Sequence, residues 1–210
     1  FTTEPMDNTF YKLNRFTTLP VLLDLLERQK LVLLDPKSWD DRNDTEVILA
    51  YKRKAKIDKL FALCFTHGSE TIHHWKTFAN GSSGCCIEFS ASKLIDIFDT
   101  TEGLRHGKVS YKTINETMTP LPISEMPFVK RKPYQCEQEY RVIWEGDSDN
   151  DHFELDVPLD TIRRITISQQ MPPKVYETIK KLLKTTSTNK VNRSTIYENK
   201  RWIEQFSLEG

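Results

Sequence analysis

Apolar positions along the chain change period repeatedly, and each change marks an element. Residues 10–16, FYKLNRF, read as a first strand. Thr17 or Thr18 can cap the helix that follows, with Pro20 in its first turn and Leu22, Leu25 and Leu26 on one face. LVLLD is a short buried strand ended by Pro36, and the polar SWDDRND leads into a second helix, TEVILAYKRKAKID. LFALCFT, residues 60–66, is a strand with an almost continuous apolar face. Ser69 can cap a short helix running through Ala79, with Ile72, Trp75 and Ala79 at helical spacing.

After the turn NGSSG come the strand GCCIEFS, a helix SASKLIDIF opened by Ser90, and a strand GKVSYK. The Pro-rich stretch 119–133 reads as a loop or lid. Three closely spaced strands follow, EYRVIWEG, HFELDV and IRRITIS, then a helix PKVYETIKKLLK and a last strand-like piece, VNRSTIY. Helices dominate early and strands late. That order predicts an α+β fold, one domain over residues 1–210, with a mixed or antiparallel β core flanked by helices. No internal repeat interrupts it.

One strand carries more charge than its pattern explains. In YQCEQEYRVIW, residues 134–144, Tyr140, Val142 and Trp144 share one face. Read as a continuous strand, Glu137, Glu139 and Arg141 share the other. Two carboxylates held at i and i+2 suit chemistry at a sugar, where an oxocarbenium-like centre needs an anion and a hydroxyl needs an acceptor. The plainer reading is a solvated outer face, with Glu139, Arg141 and Glu145 pairing to neighbours. Taken alone, that is the commoner meaning of such a pattern.

Composition narrows the choice. Of 210 residues, 38% are hydrophobic and 29% charged, with the charges interspersed, which supports a packed core. The formal net charge is +0, so global electrostatics predicts neither a polyanion binder nor an acidic tail. The basic runs KRKAK at 52–56 and VKRK at 129–132 read first as solvated faces. No apolar run is long enough to span a membrane. The four cysteines, Cys64, Cys85, Cys86 and Cys136, form no C-x-x-C pair, so a reducing cytoplasm is the simplest compartment.

Familiar chemical motifs are missing. SWDDRNDTE gathers Asp40, Asp41, Asn43, Asp44 and Glu46, but its spacing suits a capping box from Asn43 to Glu46 better than a calcium loop. His73 and His74 diverge by about 100° on a helix and cannot chelate in the i, i+4 manner, so no metal is expected. There is no G-x-S-x-G, no G-x-x-x-x-G-K-[ST] and no G-x-G-x-x-G, and the cysteines lie in apolar runs where thiols are inert.

The order of several pieces resembles a bacterial family known as DUF-2971, a domain of unknown function. They are FYKLNRF, WDDRND before a helix, LCFTHGSETIHHWKTFANGSSGCCIEFS, GKVSYK, FVKRKPYQCEQEYRV and IRRITIS, together most of the chain. That family carries a hydrophobic residue and Asn-Asp-Pro before the second helix. Here the stretch is Arg42, Asn43, Asp44 and Thr45, which keeps the Asn-Asp core.

A second resemblance is to ADP-ribosyltransferases of the toxin type. These hold NAD with a basic or histidine residue on a first strand, then offer a hydroxyl at a strand end. A mobile loop then leads to a Glu-x-Glu opening a late strand. Lys12 and Arg15, Thr66, and Glu137-Gln138-Glu139 stand in that order here, without the family's Ser-Thr-Ser.

The resemblance implies a split sheet and an NAD-using transfer of ADP-ribose to a macromolecular acceptor, as a toxin or phage-defence effector with a neutralising partner protein. Arg15 or Lys12 would neutralise the pyrophosphate, and Glu139 would stabilise positive charge as nicotinamide leaves. Glu137 would orient or deprotonate the acceptor, and Trp75 or Tyr11 would stack on a ring, although for Trp75 core packing is the commoner role. Asn43 and Asp44 would border the pocket, with Arg141 holding Glu139. The acceptor, whether protein, DNA, RNA or water, is left open. Two alternatives stand beside this: a non-catalytic nucleotide- or nucleic-acid-binding module using Lys130, Arg131 and Lys132, and metal-dependent phosphodiester cleavage by the Asp40–Glu46 cluster.

Overall fold

The leucines of the first helix set the first layer. In the computed structural model, which describes residues 10–186 and 190–207, β1 (Lys12–Thr18) runs directly into α1 (Leu19–Arg28). Leu22, Leu25 and Leu26 of α1 are buried, and Gln29 ends the helix in a left-handed cap. β2 (Lys30–Leu34), α2 (Arg42–Ala55), β3 (Lys59–Thr66), α3 (Ile72–Phe78), β4 (Gly84–Ser90) and α4 (Ala91–Thr100) follow. Strands and helices therefore alternate through the first half, where the sequence reads as mostly helical.

The second half runs β5 (Leu104–Lys108), β6 (Ser110–Lys112), β7 (Val129–Arg131), β8 (Glu139–Gly146), β9 (His152–Asp156) and β10 (Ile162–Ile167). It closes with α5 (Pro173–Thr186), β11 (Lys190–Arg193) and α6 (Lys200–Ser207). GKVSYK, expected as one strand, is divided: β5 joins the main sheet, while β6 turns off to pair in parallel with β7. The stretch 119–133 is more ordered than a loop. It forms a 3-10 turn over Ile123–Phe128 that packs on α2, and then β7. The short α6 is capped by Asn199, whose Oδ1 accepts from the Trp202 N–H at 3.1 Å.

Nine of the described strands form one sheet in the order β11-β10-β4-β1-β3-β2-β9, with β8 pairing to β3 and β5 to β8. Its pairings are antiparallel except for β10 with β11. One face carries the main core, with Leu13, Phe65, Ile87, Phe89, Val142 and Ile165 among its buried side chains. The other face carries two smaller clusters: Ile48, Tyr51, Leu60, Ala62 and Ile143 around α2, and Phe16, Trp75, Ala79 and Cys86 around α3. This is the α+β arrangement expected, a mostly antiparallel sheet flanked by helices.

The sheet is split. β1 pairs with β4 from Lys12↔Ser90 to Thr18↔Gly84, and β3 pairs with β8 from Lys59↔Gly146 to Thr66↔Glu139. Between β1 and β3, however, the register holds only Asn14↔Thr66, and between β2 and β3 only Leu34↔Ala62. The edge of β3 between those two rungs faces a gap, and the Asn14 side chain secures its rim by donating to the Gly68 carbonyl at 3.1 Å.

The start of α2 corrects the expected capping box. Asp41, not Asn43, is the N-cap: its Oδ1 accepts from the backbone N–H of Asn43 at 3.0 Å and of Asp44 at 3.5 Å. An acidic cap two residues earlier satisfies the first free amides and leaves Asn43 exposed. α3 is likewise capped by Thr71 rather than Ser69, with His74 completing a reciprocal box. Urea unfolding should separate the two candidate caps of α2. Asp41→Ala is expected to cost about 1 kcal/mol, and Asn43→Ala distinctly less. The reverse order would restore the Asn43 cap.

Candidate functional site

The split opens into a cleft of about 580 Å³, within the range of small-molecule sites (roughly 300–1,000 Å³). Its walls come from the diverging strands β1 and β3, the start of α2, α3 and the segment before β8. The two halves of the lining carry opposite electrostatic character.

On the β8 side lies a buried ring of charge. Arg141, 0% exposed, sits on β8, and Tyr140, Val142 and Trp144 turn the other way into the main core as the alternation requires. Its guanidinium grips Asp44 of α2 with both Nη atoms, at 2.9 and 2.6 Å, in the fork geometry that favours arginine. Its Nε donates to Glu139 at 2.6 Å, and Nη1 also reaches the Pro127 carbonyl at 3.0 Å. Lys130 closes the ring, with Nζ 2.6 Å from Glu137, 3.3 Å from Glu139 and 3.5 Å from Asp44. The expected solvated face is therefore absent here, since Glu137, Glu139 and Arg141 are all buried. Glu145 alone keeps the plainer role, accepting from Tyr51 and Arg105.

Burial alone would raise the Glu139 carboxyl, but Arg141 and Lys130 outweigh it and hold the group at about 2. The Cys64 thiol adds a hydrogen bond to that carboxylate, and is itself pushed well up by burial, which keeps it protonated. For Asp44, burial wins over its cations and raises the carboxyl. Three carboxylates, Asp44, Glu137 and Glu139, thus share two cations, Arg141 and Lys130, on this wall.

Glu137 and Glu139 reach the same lysine for a reason other than strand alternation. Glu137 ends a 3-10 turn over Lys132–Glu137, and Gln138 then adopts a left-handed conformation at φ 45° before β8 begins. Such a conformation is uncommon for a residue other than Gly or Asn. It is held by backbone and side-chain bonds: the Gln138 carbonyl accepts from the His67 N–H at 3.0 Å and from Thr66 Oγ1 at 3.2 Å. His74 contributes as well. The Thr71 N–H donates to its Nδ1, so Nε2 carries the proton and donates to the Glu137 carbonyl at 3.0 Å. Burial lowers the pKa of this histidine and keeps it neutral. Next to it, His73 lies in the cleft lining with Nε2 3.4 Å from Glu137 Oε1.

The β1 side is cationic. Arg15 lines the cleft and donates from Nη1 to the Cys64 carbonyl at a long 3.5 Å, while its Nε is enclosed without any hydrogen-bond partner. Burial lowers its pKa to about 10, which leaves it charged at neutral pH. A buried guanidinium donor with no acceptor is costly unless something supplies one. Thr66 also lines the cleft, but its hydroxyl is engaged, donating to Gln138 and accepting from the Gly68 N–H.

The cleft thus gathers Arg15, Thr66, Asp44, Glu137 and Glu139, with Arg141 directly behind. Four expected residues fall elsewhere. Trp75 is buried against Phe16, its Nε1 donating to Glu70 at 2.8 Å, so its ring has no free face. Tyr11 is 64% exposed outside the cleft. Lys12 points along β1 to Glu88, and Asn43 is turned out by the Asp41 cap. Aromatic surface in the cleft comes instead from Trp39, Phe78 and Tyr134. Lys130, the residue the sequence hides best, looks no different in VKRK from Arg131 and Lys132, which are exposed.

Among the described residues no group of three or more His, Cys, Asp or Glu side chains is arranged to hold a metal ion, and no helix is long and apolar enough to cross a membrane. No protein-family model matches the chain, and no curated protein matches it. Among solved structures, the chain is similar to DarT from Thermus sp. 2.9. In complex with ADP-ribosylated ssDNA it is 13% identical with a TM-score of 0.45, over 94% of this chain and 99% of that one. In complex with NAD+ it is again 13% identical at 0.45, over 94% and 100%. In complex with carba-NAD+ the identity is 12% and the TM-score 0.42, over 95% and 99%. Superpositions at these scores are loose, and the chemistry of the cleft rests on its own residues.

Proposed function

We propose that the cleft binds NAD and transfers its ADP-ribose to a macromolecular acceptor. The supporting observation is the bipolar lining. Arg15 offers a guanidinium whose Nε has no partner on one wall, and on the opposite wall three buried carboxylates share two cations. NAD has the complementary layout, a pyrophosphate at its middle and a positively charged nicotinamide on one ribose. Arg15, rather than Lys12, holds the pyrophosphate. As the bond between ribose C1′ and the nicotinamide nitrogen breaks, the electron pair leaves with nicotinamide and positive charge develops on the sugar. The Glu139 carboxylate, oriented by Arg141, stabilises that charge. The acceptor's lone pair then closes on C1′, and its proton passes to Glu137, backed by His73. Trp39, Phe78 or Tyr134 takes the stacking role expected of Trp75 or Tyr11.

The residues involved run from β1 to β8 on one sheet, in keeping with a single domain in this reading. Four free thiols suit a cytoplasmic setting, and a role as a toxin or phage-defence effector with a neutralising partner belongs to the same proposal. The other two readings are each weakened by residues already engaged. Asp41 Oδ1 caps α2 and both oxygens of Asp44 are bound by Arg141, so two of the carboxylates in the Asp40–Glu46 stretch already have structural partners. Lys130 is enclosed by carboxylates and cannot serve a nucleic acid in the manner of the VKRK reading.

Purified protein should release nicotinamide from NAD. Glu139→Gln is expected to lower that release by at least about 100-fold while the circular dichroism spectrum and melting curve stay those of a folded chain. Unchanged release would overturn the assignment. Arg15→Ala should raise KM for NAD about 10- to 100-fold, the worth of a charged hydrogen bond, with a smaller change in kcat.

The ionised state of Glu139 has its own check. A carboxyl held at about 2, below its ordinary 4.5, stabilises the fold fully above pH 4.5 and loses that contribution as pH falls toward 2. The Glu139→Gln protein should accordingly lose less stability than the parent between pH 5 and pH 3 in urea titrations. Parallel curves would mean that the carboxyl titrates alike in the folded and unfolded chains.

A further inference from the structure

One charged cluster lies outside the cleft. β10 pairs with β4 through Ile162↔Phe89 and then Arg164↔Glu88, so Arg163 is the extra residue of a β-bulge. Consecutive strand residues ordinarily point to opposite faces. The bulge instead brings both arginines to Glu88, with Arg164 Nη2 bonded to its Oε2 and Arg163 Nε 3.6 Å from its Oε1. Lys12 of β1 arrives as a third cation, 3.8 Å from Oε2. One carboxylate, itself buried, needs one cation, and here it has three. The arginine side chains remain 44% and 42% exposed, yet Arg164 Nε is enclosed with no hydrogen-bond partner.

An aromatic surface completes the patch. The exposed Tyr11 ring has Arg163 Cζ 4.9 Å and Lys12 Nζ 5.7 Å from its centroid, and Arg163 Nη1 donates to the Tyr11 carbonyl at 3.3 Å. Exposed Lys190 lies across the β10–β11 ladder from Arg164. Glu88 is the rung partner of Asn14, which lines the cleft, so the patch adjoins the cleft on the same strands.

We propose that Tyr11, Lys12, Arg163 and Arg164 form a binding platform for single-stranded nucleic acid. Guanidinium forks match phosphate oxygens better than ammonium groups do. A solvent-facing ring between cations is the arrangement on which an unpaired base stacks. Phosphates of successive nucleotides lie on the arginines and Lys12, and a base lies on Tyr11. As the surface that brings an acceptor to the cleft, the platform rests on the glycosyl-transfer reading; as a binding site it does not.

Fluorescence anisotropy with labelled single strands of DNA and RNA, about 12 nucleotides long, tests it across a range of salt. The double variant Arg163→Gln/Arg164→Gln should bind at least 10-fold more weakly. It should also flatten the plot of log affinity against log salt by about 1.4, near 0.7 for each lost phosphate contact. Tyr11→Ala should weaken binding by about 5- to 100-fold. Glu88→Gln removes the competing carboxylate and should tighten binding several-fold, a gain that a purely structural role for the cluster does not produce. No binding by the parent protein, an unchanged salt slope in the double variant, or no gain in Glu88→Gln would overturn the platform. So would equal competition by inorganic phosphate or by poly-glutamate. Nicotinamide release without oligonucleotide, measured on the same variants, should be unchanged. Oligonucleotide binding without any NAD turnover would leave the platform standing and remove the cleft reading alone.

Discussion

A single guanidinium, that of Arg141, joins the parts on which everything else depends. It is fully buried and bonded to the start of α2 through Asp44, to its own strand neighbour Glu139, and to the turn before β7 through Pro127. Leaving a buried ion without its partner costs about 3–5 kcal/mol, so neutralising any one of these groups draws on the stability of the whole set. The cost of bringing so much charge out of water is offset only because the set is nearly complete. The three carboxylates and Lys130 also line the cleft. Structural cohesion and the electrostatics of the site are therefore the same interaction viewed from two sides.

The cleft itself follows from an unusual economy of pairing. A continuous ladder between β1 and β3 would satisfy their edges and leave no room for a ligand. Here each strand takes its full ladder from the other neighbour, β4 or β8, and the two share one rung. The edge that results is shielded by α2 on one flank and α3 on the other, which is the general way a sheet protects an unpaired margin. The cation on one wall and the anionic ring on the other then face a shared cleft.

Much of this was legible in the residues. The leucine face of α1, the alternation of Tyr140, Val142 and Trp144, and the strands on either side of NGSSG all follow from side-chain period alone. Glu139, Glu137 and Arg15 stood out by order and type, and they do share the cleft. Where the reading failed, a neighbour distant in sequence decided the outcome. Lys130 is drawn inward by three carboxylates, none of which its local run announces. Trp75 satisfies both helical spacing and aromatic chemistry, and the proximity of Phe16 made it core. Asp41 displaced Asn43 as cap because both residue types suit the position and the chain's entry into α2 chose between them. The left-handed Gln138 leaves no mark on hydrophobic period, and the bulge at Arg163 shows only as a three-residue step from Ile162 to Ile165 in an otherwise alternating strand.

The solitary rung between Asn14 and Thr66 also has a mechanical meaning. Two well-laddered half-sheets joined at one rung are a pair of levers on a fulcrum, tied beneath by one core cluster that holds Leu13 of one half with Phe65 and Val142 of the other. A molecule bridging Arg15 and the opposite wall would act as a strut between the levers. Affinity at such a cleft is then governed by the stiffness of the joint as much as by the contacts within it.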